Sequence, residues 1–220
     1  MTGKKFLGLL LAVVMLMAHI AVAGTALAEE REVTGLTDVE RNKLDTFFSN
    51  FSEAGLPDFA NGSLSLDAIL NFGVDHVRMN TPGRDMTSLD AHHWGVSTEQ
   101  VRAAVHKYFG YTLADADLRA TTRYSLTNNG YYILPKADGE GAVFSQVVTF
   151  NALGDGRYEA TVKVYRASPT FEGDVHAAPS EWLKGDRQDM PHLTAVYRAK
   201  VSVADPAGPT YYLEAYQKQQ

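Results

Sequence analysis

Apolar residues recur at helical spacing in three stretches of the N-terminal half. Leu44, Phe47, Phe48 and Phe51 form the first stripe, three and four residues apart as one helix face requires. Thr37-Asp38-Val39-Glu40 precedes it. This is a capping box, in which the Thr37 hydroxyl accepts from the Glu40 amide while the Glu40 carboxylate reaches back. Gly55-Leu56-Pro57 ends the run. Ser65 caps a second stripe of Leu66, Ile69, Leu70, Val74 and Val77. Ser97-Thr98-Glu99-Gln100 is a second capping box and opens the third stripe: Val101, Ala104, Val105, Tyr108 and Phe109. Gly110 then fits the left-handed position that follows a helix end.

Past Arg119 the period changes. Tyr, Val, Thr and Phe become frequent and turn residues punctuate short runs. Strands are predicted near Thr121–Leu126, Tyr131–Leu134, Ala142–Phe150, Tyr158–Ala167, Leu193–Val203 and Thr210–Tyr216. Asn128-Asn129-Gly130 and Asp155-Gly156 supply residues that tolerate positive φ, and Asp205-Pro206-Ala207-Gly208 joins the last two strands. Helices first and strands second predict an α+β domain over residues 37–220. Three N-terminal helices should pack on a curved antiparallel sheet of five or six strands. Asn80–Val96 and Ser168–His192 lack either period and read as long loops. Loops of that length are uncommon unless functional or disordered.

The first 28 residues follow another logic. Lys4 and Lys5 precede an uncharged run from Phe6 to Ala28, and Ala26-Leu27-Ala28 is followed by Glu29-Glu30. Positive start, apolar centre and small-x-small end, in that order, are the marks of a secretory signal peptide. The run is also long enough to span a bilayer as an uncleaved anchor. Small residues crowd its end and no positive cluster follows, so cleavage after Ala28 is the expected outcome. Residues 29–36 read as a flexible lead-in. No later segment is apolar enough to span a membrane. Losing the two leader lysines makes a net charge of −6 more acidic still, which gives no electrostatic reason to seek nucleic acid. The chain has no cysteine. Disulfides, thiolate catalysis, cysteine metal sites and a lipid-modified cysteine are all excluded. The expected location is the medium or the cell envelope, without a lipid anchor.

Several segments, taken in order, resemble those of an uncharacterised family of exported proteins and lipoproteins, mainly of Gram-positive Firmicutes. They are Asn42 to Phe51, Phe72-Gly73-Val74-Asp75-His76, Lys107-Tyr108-Phe109-Gly110, Gly130-Tyr131-Tyr132, Asp138-Gly139-Glu140, Phe144-Ser145-Gln146-Val147, and Gly173-Asp174-Val175-His176 with Glu181-Trp182. The resemblance spans nearly all of the chain past the leader. It implies a single exported domain and assigns no activity.

Candidate chemistry lies mostly in the two loops. Asp90 and His92 share one side of an extended segment, but two ligands do not make a zinc site, and no metal or other cofactor is expected. His176 and Trp182 lie in the second loop, where binding residues concentrate. His76 follows Phe72 by four and shares its helix face. Tyr131 and Tyr132 belong to a tyrosine-rich sheet half, and tyrosine presents apolar area with a polar tip. No Gly-x-Ser-x-Gly elbow, Ser-x-x-Lys pair, His-Glu-x-x-His or phosphate loop occurs. The leading expectation is a non-enzymatic domain that binds an envelope or extracellular protein, peptide or glycan through His76, Tyr131, Tyr132, His176 and Trp182. The alternative is a secreted hydrolase whose site gathers His76, Asp90, His92 and His176 in space. A third reading is a small-molecule pocket between helices and sheet, with His76 at its mouth.

Overall fold

The three capped stripes become three helices. In the computed structural model, which describes residues 35–60, 62–81, 86–136, 142–182, 189–205 and 208–220, α1 spans Asp38–Glu53, α2 Leu66–Asn80 and α3 Thr98–Phe109. Thr37 and Ser97 form complete capping boxes, Ser65 accepts from the Ala68 amide, and Gly110 ends α3 at φ 65°. A single-turn helix, α4, covers Pro179–Trp182. The leader, the lead-in through residue 34, the Asp138 to Gly141 turn and the Pro206-Ala207 turn lie outside the described residues.

The class is α+β, as the element order predicts, but the strands divide into two antiparallel sheets. β4 (Val143–Gly154), β5 (Arg157–Arg166), β6 (His192–Asp205) and β7 (Gly208–Lys218) form a four-stranded meander in chain order. Asp155 and Gly156 take φ 52° and 70° in the two-residue turn between β4 and β5, the primed geometry that a twisted hairpin prefers. Register shifts interrupt each of the three pairings, and such bulges bend strands. β3 (Tyr131–Pro135) leaves this sheet and joins β1 (Thr87–Ser88) and β2 (His93–Ser97). The single sheet of five or six strands is therefore corrected to four plus three.

Two of the sequence expectations fail for physical reasons. Asn80–Val96 is not wholly irregular, because it contains β1 and β2. Gly95 is closely covered: a Cβ there would meet Leu89 at 2.9 Å and the Tyr131 ring at 3.1 Å, so those side chains would have to give way. Thr121–Leu126 is not a strand, because helix side chains take its polar groups. Asp67 Oδ1 accepts from the Thr122 amide at 2.6 Å and Asn71 Oδ1 from the Thr121 hydroxyl at 2.6 Å. Asp75 accepts from Tyr124 at 2.7 Å and Arg123 at 2.8 Å. Asp67, Asn71 and Asp75 are four residues apart and so share one face of α2.

α1 uses the same device on the large sheet. β4 is an edge strand, and edge strands expose unpaired amides that invite other chains. Ser145 N–H donates to Ser49 Oγ and Val147 N–H to Asp45 Oδ1, both at 2.8 Å. At the opposite edge, Phe59 and Tyr216 exchange backbone bonds of 2.8 and 3.0 Å. Between helices and sheet lies an aromatic core centred on Phe51, with Phe48, Phe72, Tyr108 and Tyr216 buried around it.

Glu53 ends α1 half-buried, and burial pushes its carboxyl up to about 7. Its ionised form also faces the negative end of the helix dipole. Between the ordinary carboxylate value and about 7 the folded state binds more protons than the unfolded state. This group's contribution to stability therefore falls as pH rises through that window. Glu53→Gln is expected to raise stability at pH 8 by about 1 kcal/mol after allowing for solvent screening, with no gain at pH 4.5. Thermal melts of both proteins at the two pH values check this; an equal shift at both would show that charge is not the cause.

Candidate functional site

The second irregular segment, residues 168–182, supplies the best-built candidate site. Trp182 of α4 is its anchor. The indole is buried against Phe144 and Tyr165, with ring centroids 5.5 and 5.1 Å away, both edge-on. Its Nε1–H donates to Asp174 O at 2.8 Å, which closes the loop on itself. Phe144 and Tyr165 are cross-strand partners on β4 and β5. Gln146, buried on β4, donates through Nε2 to both Val175 O (2.7 Å) and Ala177 O (2.9 Å). One buried amide thus satisfies two loop carbonyls that would otherwise lose their hydration.

His176 makes a third attachment. Its backbone N–H donates to Asp174 Oδ1 at 2.8 Å, and its Nδ1 lies 3.3 Å from Asp45 Oδ2. Asp45 is fully buried, with its other oxygen on the Val147 amide, while the imidazole is about 30% exposed. A buried carboxylate therefore orients a half-exposed histidine, and α1, β4 and the loop meet at this one point.

Above the anchor is a cleft of about 570 Å³ lined by Phe171, Glu172, Asp174, Glu181, Trp182 and Asp189 among others. The Phe171 ring packs close over Gly173, so a Cβ there would have to push it aside. Thr170 donates to Asp189 Oδ1 at 2.5 Å, which brings Asp189 against the start of the segment. Four carboxylates stand around an aromatic floor, three of them exposed, with Asp189 accepting from Thr170 and Asp174 from the His176 amide; such a rim is complementary to a cationic group.

The other predicted residues lie elsewhere. Tyr132 is fully buried and its hydroxyl donates to Leu118 O at 2.7 Å. It is a core residue of the cluster between α2, α3 and the small sheet, so its place among the binding residues is corrected. Tyr131 begins β3, half-buried, with its ring against Gly95. His76 stacks on Phe72 (centroids 5.6 Å, planes 13° apart) and meets Tyr108 edge-on at 4.7 Å. It lines neither the cleft above nor a second one of about 430 Å³ beside Arg102, His106 and Lys107 on α3. Asp90 receives the His92 amide at 2.7 Å and the His93 ring at 2.9 Å in the β1–β2 turn. The His92 amide leads the causes that hold this carboxyl below its usual range. The partners named for His76, Asp90 and His176 thus form three separate sets. Among the described residues no three His, Asp or Glu side chains are arranged to hold a metal ion.

Sequence reading missed Asp45, Gln146 and the acidic rim. Asp45 interrupts no apolar period, and a buried glutamine in a strand has no sequence signature. The rim was visible only as scattered acids in a loop. Compared with family models, with curated proteins and with solved structures, the chain matches none.

Proposed function

We propose that this chain is an exported, non-enzymatic binding domain that captures a cationic group of an envelope or extracellular partner in the cleft above Trp182. Export rests on the leader, from Lys4 and Lys5 to Ala26-Leu27-Ala28, and agrees with the exported family that the segments named above resemble. No described helix is long and apolar enough to cross a membrane. The observation that carries the binding reading is the acidic cleft itself, held to the sheet by Gln146, Trp182 and the Asp45–His176 contact. Rigid attachment of a loop lowers the ordering cost of binding. An amine-bearing peptide or glycan has the matching chemistry.

Residues 29–220, immobilised and exposed to envelope fractions in low salt, should retain a partner that about 0.3 M salt releases. Glu172→Gln combined with Asp189→Asn should abolish retention while leaving the melting temperature within about 2 °C. Undiminished retention by the double variant would move the site away from this cleft. Trp182→Ala is not a clean test, because removing a buried indole costs about 3–5 kcal/mol and frees the loop.

A second reading, a secreted hydrolase, is favoured by the carboxylate-oriented imidazole of His176, the arrangement that positions a general base. It predicts turnover of ester or amide substrates that His176→Ala abolishes. Equal turnover by the variant, or none by either protein, removes it.

A further inference from the structure

His76 sits where α2 and α3 join, and its hydrogen bonding dictates its charge state. Asn80 Nδ2 lies 3.0 Å from His76 Nδ1 and 3.0 Å from the His76 carbonyl oxygen. A carbonyl only accepts, so the Asn80 atom facing it must be the NH₂ group. That same group then donates to Nδ1, which must be unprotonated, and the proton of the neutral ring falls on Nε2.

The surroundings favour the same state. Phe72 covers one face of the imidazole and Tyr108 meets it edge-on. Lys107 of α3 stands over the Tyr108 ring, 4.8 Å from its centroid, and is the charge that acts on His76. α1 reaches the seam through Phe51, stacked on Phe72 at 5.3 Å. The displacement of Glu53 at the end of α1 arises from burial, with no contribution from His76. On α2 itself, Asp75 is engaged by Arg78 and Arg123.

We propose that His76 is an acid-operated catch between α2 and α3: a proton on Nδ1 displaces the Asn80 amide, sets a second cation near Lys107 and loosens the aromatic seam between the two helices. Burial, with Lys107 as the second cause, depresses the imidazole to about 4. A neutral histidine of this kind contributes stability that is present above its ordinary value and lost as pH falls from there through about 4. The catch is closed at neutral pH and opens only in distinctly acidic surroundings. The large sheet is also joined to α1 through Asp45 and Ser49, by bonds in which His76 takes no part.

The test is a long-range ¹H–¹⁵N correlation of the histidine side chains in residues 29–220, titrated from pH 7.5 to 3.5, with amide exchange measured alongside. Expected at neutral pH is an Nε2–H tautomer with an acceptor-type Nδ1 at His76. On acidification its midpoint should fall at least one pH unit below that of an ordinary histidine. Amides of 72–80 and 101–109 should then exchange at least tenfold faster, while those of β5 and β6 stay protected. An Nδ1–H tautomer, an ordinary midpoint or uniform loss of protection would overturn the proposal. Asn80→Ala should move the midpoint upward, and His76→Phe should abolish the acid-driven exchange in α2 and α3. Persistence of that exchange in His76→Phe would assign it to another group. If His76→Phe does not fold, the tautomer and the Asn80→Ala shift decide the matter.

Discussion

Replacing Asp45 with Ala is expected to cost about 3 kcal/mol, because it orphans a buried amide and removes a charge-assisted hydrogen bond, and to lower the melting temperature by about 6–12 °C. The effect is large because one side chain serves three elements. Asp45 is fully buried on α1, Oδ1 accepts from the Val147 amide of β4, and Oδ2 faces the His176 ring. Alanine leaves a buried edge amide without an acceptor, and an unsatisfied buried donor alone costs about 1–3 kcal/mol. Asp45→Asn keeps an oxygen for the Val147 amide and removes only the charge, so it should cost less than half as much. Limited proteolysis adds a local readout: Asp45→Ala should speed cleavage within residues 168–182 well before global unfolding. Melting within about 2 °C of the parent would mean that α1 is held to β4 by Ser49 and apolar contacts alone.

Phe51→Ala should be as damaging for a different reason, at about 3–5 kcal/mol. Phe51 is fully buried. Its ring centroid lies 5.0–6.3 Å from those of Phe47, Phe48, Phe72, Tyr108, Phe109 and Tyr216. These rings come from α1, α2, α3 and β7, so no single element can move in to fill the void. Aromatic contacts of this kind add to simple area burial. Phe51→Leu, which keeps most of the volume, should lose about half as much. Denaturant titration measures both; an unchanged slope with a lower midpoint identifies lost stability rather than a changed unfolded state. A small aromatic solute that raises the Phe51→Ala midpoint and not the parent's would confirm the cavity. A loss below about 1 kcal/mol would mean that the surrounding rings collapse onto the gap.

The helices were legible because their signals are local. Thr37 with Glu40, Ser65, Ser97 with Gln100, and Gly110 each act within a few residues, and each takes the capping role that its chemistry predicts. The strands were legible as strands and not as sheets. Nothing local in Tyr131–Pro135 says that it pairs with His93–Ser97 rather than with β4. Thr121–Leu126 has β-rich composition, but its polar groups are claimed by α2 from 48 to 55 positions away. The candidate site was half legible. His176 and Trp182 stood out as rare residue types in a long loop. Their supports, Asp45 and Gln146, lie in a helix and a strand whose patterns looked complete without them.

The covering of β4 by α1 also sets an order of events. Its two side-chain-to-amide bonds join residues 96 and 102 positions apart, while the β4–β5 hairpin closes through a two-residue turn. The hairpin is expected to form before the helix docks, since contacts of such long range slow folding, which leaves its outer edge bare in between. A bare edge of that kind invites pairing with other chains. A holding factor that shields one strand edge would raise its yield more than one that merely catalyses turns.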